Sequence, residues 1–169
     1  MAVLPVSCDE KTPETVEGRN TLEPVLQGEF AKLTQFEVHP VPPEVLVAKT
    51  GQKTWGCDEA LPHDLLVWLK QACGCDAVLF CKLTAFRGYS PMLVGWSLRL
   101  VDIQTGSTIW AVEDVFDSTV PSVRAGAHQY FAQTQGSWVW TTDDWLIQNS
   151  PRCFGQYAAA QVLTTLPGF

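Results

Sequence analysis

Three apolar segments follow one another in the middle of the chain, and they constrain the fold more than any other feature. They cover residues 77–86, 93–103 and 108–116. Glycine and proline interrupt the first junction, and Gln104-Thr105-Gly106 interrupts the second. Connections this short join antiparallel neighbours, because a parallel crossover needs about a dozen residues or more. The pattern predicts three consecutive strands paired as an antiparallel meander.

The middle strand of this meander has two unequal faces. Side chains alternate along a strand, so Trp96, Leu98 and Leu100 share one face. Ser97 and Arg99 lie on the other. We therefore predict that only the first face is fully dry at its centre.

Strand and helix patterns alternate before the meander. Residues 2–6 predict a buried strand, and the polar stretch 9–18 predicts a flexible loop. Apolar residues then recur at helical spacing from Thr21 to Leu33.

A short strand is predicted over 36–39, ended by Pro40 because proline cannot donate to a ladder. A short helical turn follows over 44–49. The apolar stripe over 58–72 predicts a longer helix, with Gly74 as its left-handed C-terminal residue.

After Asp117 the pattern becomes helical again. A helix is predicted over 118–133 with Pro121 in its first turn, followed by an aromatic and acidic segment over 136–149 that has no clear period. Ser150 as a cap and Pro151 at the first helical position then open a last helix.

Together these elements predict an α/β (α+β) fold. Its mixed sheet has parallel N-terminal strand-helix-strand units followed by the antiparallel three-strand meander, packed with helices. A chain of 169 residues with 46% hydrophobic content is long enough for one core, so we predict a single domain over 1–169. Within it, 1–117 form the core and 118–169 a helical, tryptophan-rich C-terminal extension.

Charge and hydropathy exclude some partners. The net charge is −7 with only 11 basic residues, which argues against nucleic acid. No apolar run approaches the roughly 20 residues of a membrane helix. Because residues 2–6 already form a strand after Met1, we expect that a leader was trimmed, with a lipid anchor on the removed segment.

Three sequence segments resemble the superfamily that contains the CsgG protein and the TolB amino-terminal domain. Its members are bacterial envelope proteins, and they include penicillin-binding-protein activator lipoproteins. They are Ala2-Val3-Leu4-Pro5-Val6, the turn over 74–80, and the hairpin over 100–110. The resemblance covers 1–117. It implies a periplasm-facing, often lipid-anchored module that binds a protein partner or assembles with itself, and it carries over no catalytic residue.

The spacing of the cysteines does not predict a metal site. Cys73-Gly74-Cys75 is one loose pair, whereas zinc sites show two spaced pairs, so we predict no metal and no other cofactor. Small buried thiols are the expectation, with a disulfide of Cys57 left open. Cys153, in the first turn of a helix, is the one thiol to test for reactivity.

Aromatic side chains mark the candidate partner surface, since they are enriched at binding hot spots. The candidates are Trp138, Trp140, Asp143, Asp144, Trp145 and Arg152. The alternative is that Trp138 and Trp140 only pin this segment over the core. Other acidic groups, including Glu113, Asp114 and Asp117, are interpreted as solvated edge and loop charges.

No complete catalytic constellation is present, so the expected function is non-enzymatic partner binding or self-assembly in the cell envelope. Two alternatives stay open. One is a cytoplasmic ligand-binding domain, an interpretation that is favoured if the gene begins at Met1. The other is a small hydrolase or thiol enzyme built from Cys153, His128 and the acidic loop.

Overall fold

The structure, a computed structural model, describes residues 1–59, 63–135 and 149–167. Within these ranges six strands and five helices follow the chain. The strands are β1 (Ala2–Val3), β2 (Ser7–Cys8), β3 (His39–Pro40), β4 (Ala77–Arg87), β5 (Leu93–Asp102) and β6 (Thr108–Asp117). The helices are α1 (Pro13–Phe30), α2 (Pro43–Thr50), α3 (His63–Cys73), α4 (Pro121–Gln135) and α5 (Pro151–Leu163).

The strands form one mixed sheet in the order β3-β1-β4-β5-β6, with β2 also paired to β4. The pairs of β1 with β3 and of β1 and β2 with β4 are parallel. The pairs of β4 with β5 and of β5 with β6 are antiparallel. This confirms the predicted fold class, including the meander.

Helices cover the sheet unequally on its two faces. Leu22 of α1 and Phe154 of α5 pack with Trp96 and Leu98 of β5 in the larger apolar cluster. The second cluster, on the opposite face, joins α2 and α3 to β1, β4 and the end of β5. Ser97 and Arg99 on that face are only half buried, which agrees with the prediction of a single face that is dry at its centre.

Helix α1 begins at Pro13, so the prediction of a flexible loop before Thr21 was wrong. The early turns bury Thr15 and Gly18, which are not large apolar residues, and therefore the hydrophobic pattern does not report them. Pro24, expected in a first turn, lies inside the helix.

Strand β3 also differs from its prediction, because it contains Pro40 instead of ending before it. The N–H of His39 donates to the carbonyl of Met1 at 2.9 Å, and that of Val41 donates to Val3 at 2.8 Å. The nitrogen of Pro40 therefore faces away from β1 on an edge strand, where no donor is needed.

Asp58 and Glu59, expected to open α3, lie in a turn outside it, and the described residues of this helix are His63–Cys73. Asp58 is exposed and its carboxylate accepts a hydrogen bond from Lys82 Nζ at 2.6 Å, so it ties this turn to β4. The other end agrees with the sequence, since Gly74 has a φ of 65° and its N–H donates to Lys70 O at 3.0 Å.

Ser150 and Pro151 start α5 as predicted. The Ser150 hydroxyl accepts a hydrogen bond from the N–H of Cys153 at 3.3 Å, and Pro151 occupies the first turn. Among the described helices, none combines the length and the apolar character that crossing a membrane requires.

Candidate interaction surface

Most of the predicted partner surface lies outside the described residues. Trp138, Trp140, Asp143, Asp144 and Trp145 all fall between 136 and 148. The remaining candidate, Arg152, is exposed in the first turn of α5.

A shallow groove of about 140 Å³ lies beside the start of α5. Three elements form its walls: the N-terminal half of α1, the turn between β4 and β5, and Pro151. We call it the hairpin groove; its lining residues are Glu14, Glu17, Thr21, Phe86, Arg87, Gly88, Tyr89 and Pro151. Arg152, the one described member of the predicted surface, follows Pro151 in the chain.

Tyr89 stands at the tip of the β4–β5 turn with 69% of its surface exposed. The turn is braced by a hydrogen bond between its two sides, because Arg87 Nε donates to the carbonyl of Pro91. Phe86 anchors it in the core with only 9% exposure. An aromatic ring on a braced turn is well suited to fill a partner's pocket, since little ordering entropy is lost on binding.

Side chains of both charge signs line the hairpin groove. Glu14 and Glu17 of α1 are exposed, and Arg87 of β4 is half buried. Tyrosine and arginine are among the side chains most enriched at binding hot spots. Tyr89 is not among the residues predicted for the partner surface, although its position between Gly88 and Pro91 marks it as the tip of a turn.

A second, larger cleft of about 750 Å³ opens beside the carboxyl end of β2. Several charged side chains line this cleft, and two of them, Lys82 and Asp58, are joined by a hydrogen bond. That hydrogen bond lowers the pKa of Asp58 and raises the pKa of Lys82, so both side chains stay charged at neutral pH. Cys8 lines the cleft too, but burial raises the pKa of its thiol. The arrangement provides paired charges rather than a poised acid and base.

All six cysteines fall within the described ranges, and each is a free thiol. Cys57, Cys75 and Cys81 are buried. Burial raises the pKa of Cys57 and, well above its usual value, that of Cys81. In the described parts of the chain no three His, Cys, Asp or Glu side chains gather closely enough to hold a metal ion.

We expect thiol reagents to divide these cysteines into two groups. In the native protein Cys8, Cys73 and Cys153 should be modified first, because they are only half buried. Cys57, Cys75 and Cys81 should react only after denaturant is added. Pulsed alkylation followed by peptide mass mapping measures this order, and rapid native labelling of Cys81 would contradict it.

Comparisons with known proteins support the fold and little more. No protein-family model matches the sequence, and no curated protein is similar to it. Among solved structures, the hypothetical protein CT253 from Chlamydia trachomatis aligns with a TM-score of 0.52 at 11% identity, over 96% of this chain and 91% of that one. At this identity the likeness concerns the fold alone.

Bacterial lipoproteins are also among the matched structures. Lipoprotein GNA1162 from Neisseria meningitidis aligns with a TM-score of 0.48 at 20% identity, over 81% of this chain and 96% of that one. The LpoB C-terminal domain from Salmonella enterica aligns with a TM-score of 0.41 at 15% identity, over 68% and 78%. The chain therefore shares its α/β fold with the chlamydial protein, and the lipoproteins are weaker matches.

Proposed function

We propose that this chain is a non-enzymatic module of a bacterial envelope lipoprotein, and that it binds a protein partner or a copy of itself. The observation that carries the proposal is Tyr89, exposed on a braced turn in the wall of the hairpin groove. The proposed partner surface comprises the hairpin groove, Arg152 and the tryptophans of 136–148, which lie outside the described residues. The envelope location rests on the three sequence segments that resemble the CsgG and TolB superfamily.

A photo-crosslinking residue at position 89 tests the binding surface in the envelope fraction of the source cell. We expect a discrete adduct with one envelope protein. The same residue at Val67, a 43% exposed position on α3, is the matched control and should give no such adduct. Equal adducts from both positions, or none from either, would contradict the proposed surface.

Substitutions then measure how much each side chain contributes. Once the partner is known, Tyr89→Ala should weaken binding about ten-fold or more, because hot-spot truncations cost roughly 2 kcal/mol. Arg152→Ala, Trp138→Ala and Trp145→Ala should each weaken it as well, whereas Val67→Ala should not. Titration calorimetry gives the dissociation constants. Unchanged affinity in Tyr89→Ala would remove the hairpin groove from the interface.

The envelope location has a separate test. The coding sequence upstream of Met1 should specify a signal peptide and a cysteine for lipidation. A stop codon in frame immediately upstream would favour the alternative of a cytoplasmic ligand-binding domain instead.

A further inference from the structure

A cavity of about 270 Å³ opens where the parallel strands β1 and β3 end. Residues 4–6 follow β1 and residues 41–43 follow β3, and both segments line it. The C-terminal half of α1 closes a third side. In open α/β sheets, ligands bind in the crevice outside the carboxyl ends of the strands. We call this space the β1–β3 cavity; it shares no described lining residue with the hairpin groove.

An irregularity between β1 and β2 turns the backbone toward this cavity. From Val3 to Ser7 the chain takes four residue steps, whereas their partners on β4 are three steps apart. The extra residue acts as a β-bulge, a feature that is frequent next to functional sites. Pro5 lies in this bulge and has no N–H. The N–H of Val6 donates to Glu23 Oε1 of α1 at 3.0 Å instead of to β4.

This hydrogen bond holds the Glu23 carboxylate at the cavity wall. Its second oxygen, Oε2, has no hydrogen-bond partner in the described part of the chain. Glu23 is half buried, and it is the one charged side chain among the described lining residues. Burial above all, and then the nearby Cys57 thiol and the Glu23 charge, raise the pKa of the lining thiol Cys81 well above its usual value. Cys81 is therefore neutral, and the wall has a single negative charge.

The rest of the wall is largely apolar and rigid. Val3 and Val6 are buried at its base. Five of the lining residues are prolines: Pro5, Pro24, Pro40, Pro42 and Pro43. A proline ring has a fixed φ and no rotamer freedom to lose, so a ligand can bind here at little entropic cost. Proline rings also pack well against aromatic rings, as they do when proline-rich peptides dock into aromatic grooves.

The volume limits the size of the ligand. A dry apolar cavity of about 150 Å³ holds one benzene molecule. The β1–β3 cavity, at about 270 Å³, therefore has room for one aromatic ring with a short substituent.

We propose that the β1–β3 cavity binds a small organic cation, an aromatic ring that carries one ammonium group on a short chain. The ring packs against the prolines, and the ammonium donates a hydrogen bond to Oε2 of Glu23. A hydrogen bond between two charged groups is about twice as strong as one between neutral groups. The net charge of −7 also attracts cations to the protein and repels anions. This small-molecule site goes beyond the proposed partner binding and does not depend on it.

Titration of the isotopically labelled protein with phenethylamine, followed by two-dimensional NMR, tests the site. The backbone amides of Val6 and Val41 should shift and then saturate, because both residues line the cavity. The amide of Tyr89, in the hairpin groove, is the internal control and should not shift. If Val6 and Val41 show no saturable shift at millimolar phenethylamine, the proposal is wrong.

Two analogues of the same size test the charge preference in the wild-type protein. Phenethyl alcohol has a hydroxyl in place of the ammonium, and hydrocinnamate has a carboxylate. The alcohol should bind about ten-fold more weakly than the amine, because it loses a charged hydrogen bond. Hydrocinnamate should give no saturable shift. Equal affinities for the amine and the alcohol, or tighter binding of hydrocinnamate, overturn the assignment of a cation.

Glu23→Gln tests the carboxylate itself. The amide oxygen can still accept from the Val6 N–H, so we expect the variant to fold, which circular dichroism verifies. It should bind phenethylamine about ten-fold more weakly and phenethyl alcohol as before. Glu14→Gln, at an exposed position of the same helix outside the cavity, is the matched control and should change neither affinity. A folded Glu23→Gln variant that still prefers the amine contradicts the role of Glu23.

The outcome is separable from that of the proposed function. Tyr89→Ala should leave phenethylamine binding unchanged, because Tyr89 does not line the β1–β3 cavity. Glu23→Gln should still give the partner adduct from a photo-crosslinker at position 89. A Tyr89→Ala variant that no longer binds phenethylamine would place the amine in the hairpin groove and overturn this inference.

Discussion

Gly18→Ala should lower the free energy of unfolding by about 2 kcal/mol, although alanine is the better helix former. Gly18 is buried in α1 against β4. A Cβ at this position would lie 2.7 Å from Phe86 Cβ and 2.8 Å from Leu83 Cδ2. The Phe86 atom adjoins its backbone and cannot swing aside, so the helix and the sheet have to separate.

The same substitution at Gly28 is the matched control. Gly28 is exposed in the same helix, and an added Cβ would meet no atom within 4 Å. Gly28→Ala should therefore raise the free energy of unfolding by roughly 0.5–1 kcal/mol through helix propensity alone. Urea unfolding followed by circular dichroism measures both variants. Equal effects of the same sign would contradict the close packing at Gly18.

Gly18 also explains why the start of α1 was not predicted. Sequence patterns detect a helix through large apolar residues that recur on one face. Where the helix crosses β4 closely, the buried face has Thr15 and Gly18 instead, because larger side chains do not fit. The meander was predictable for the opposite reason, since β4 and β5 fill their buried faces with large apolar residues.

The candidate surface was predictable only in part. A cluster of aromatics near Arg152 is visible in the sequence, and Arg152 is exposed in α5. Tyr89 was missed because an isolated aromatic in a turn has no periodicity, and its exposure depends on how Phe86 and Arg87 hold the turn. The place of β6 at one end of the described strand order was equally hidden, since strand order is a property of the whole sheet.

The burial of Glu29 is a third feature that the sequence does not predict, because it depends on contacts with residues far away in the chain. Its carboxylate accepts hydrogen bonds from Lys32 Nζ at 2.6 Å, Gln156 Nε2 at 2.9 Å and the Tyr130 hydroxyl at 3.3 Å. Tyr130 and Gln156 are 101 and 127 residues away. One carboxylate thus joins α1 to α4 and α5, the helices that precede and follow residues 136–148.

Glu29→Ala should lower the free energy of unfolding by about 2–3 kcal/mol, because it removes a charged acceptor and leaves partly buried donors without a partner. Glu17→Ala, at an exposed position of the same helix, is the control and should change stability by less than about 0.5 kcal/mol. A cycle with Gln156→Ala should show coupling of at least about 0.5 kcal/mol. Additive effects would mean that the carboxylate does not hold α5.

The contribution of this cluster should also disappear in alkali. Burial and the Glu29 charge raise the pKa of Tyr130 above 10.0. Burial, the largest single effect, lowers the pKa of Lys32, but the hydrogen bond to Glu29, the Glu29 charge and the contact with Tyr130 together raise it above its ordinary value. Groups that bind a proton more tightly in the fold stabilise it fully below their unfolded pKa and lose this effect as the pH passes the folded pKa. The difference between the wild type and Glu29→Ala should therefore be constant from pH 7 to 9 and shrink above about pH 10. A difference that stayed constant into stronger alkali would assign the loss to packing at Glu29 instead of to its charged hydrogen bonds.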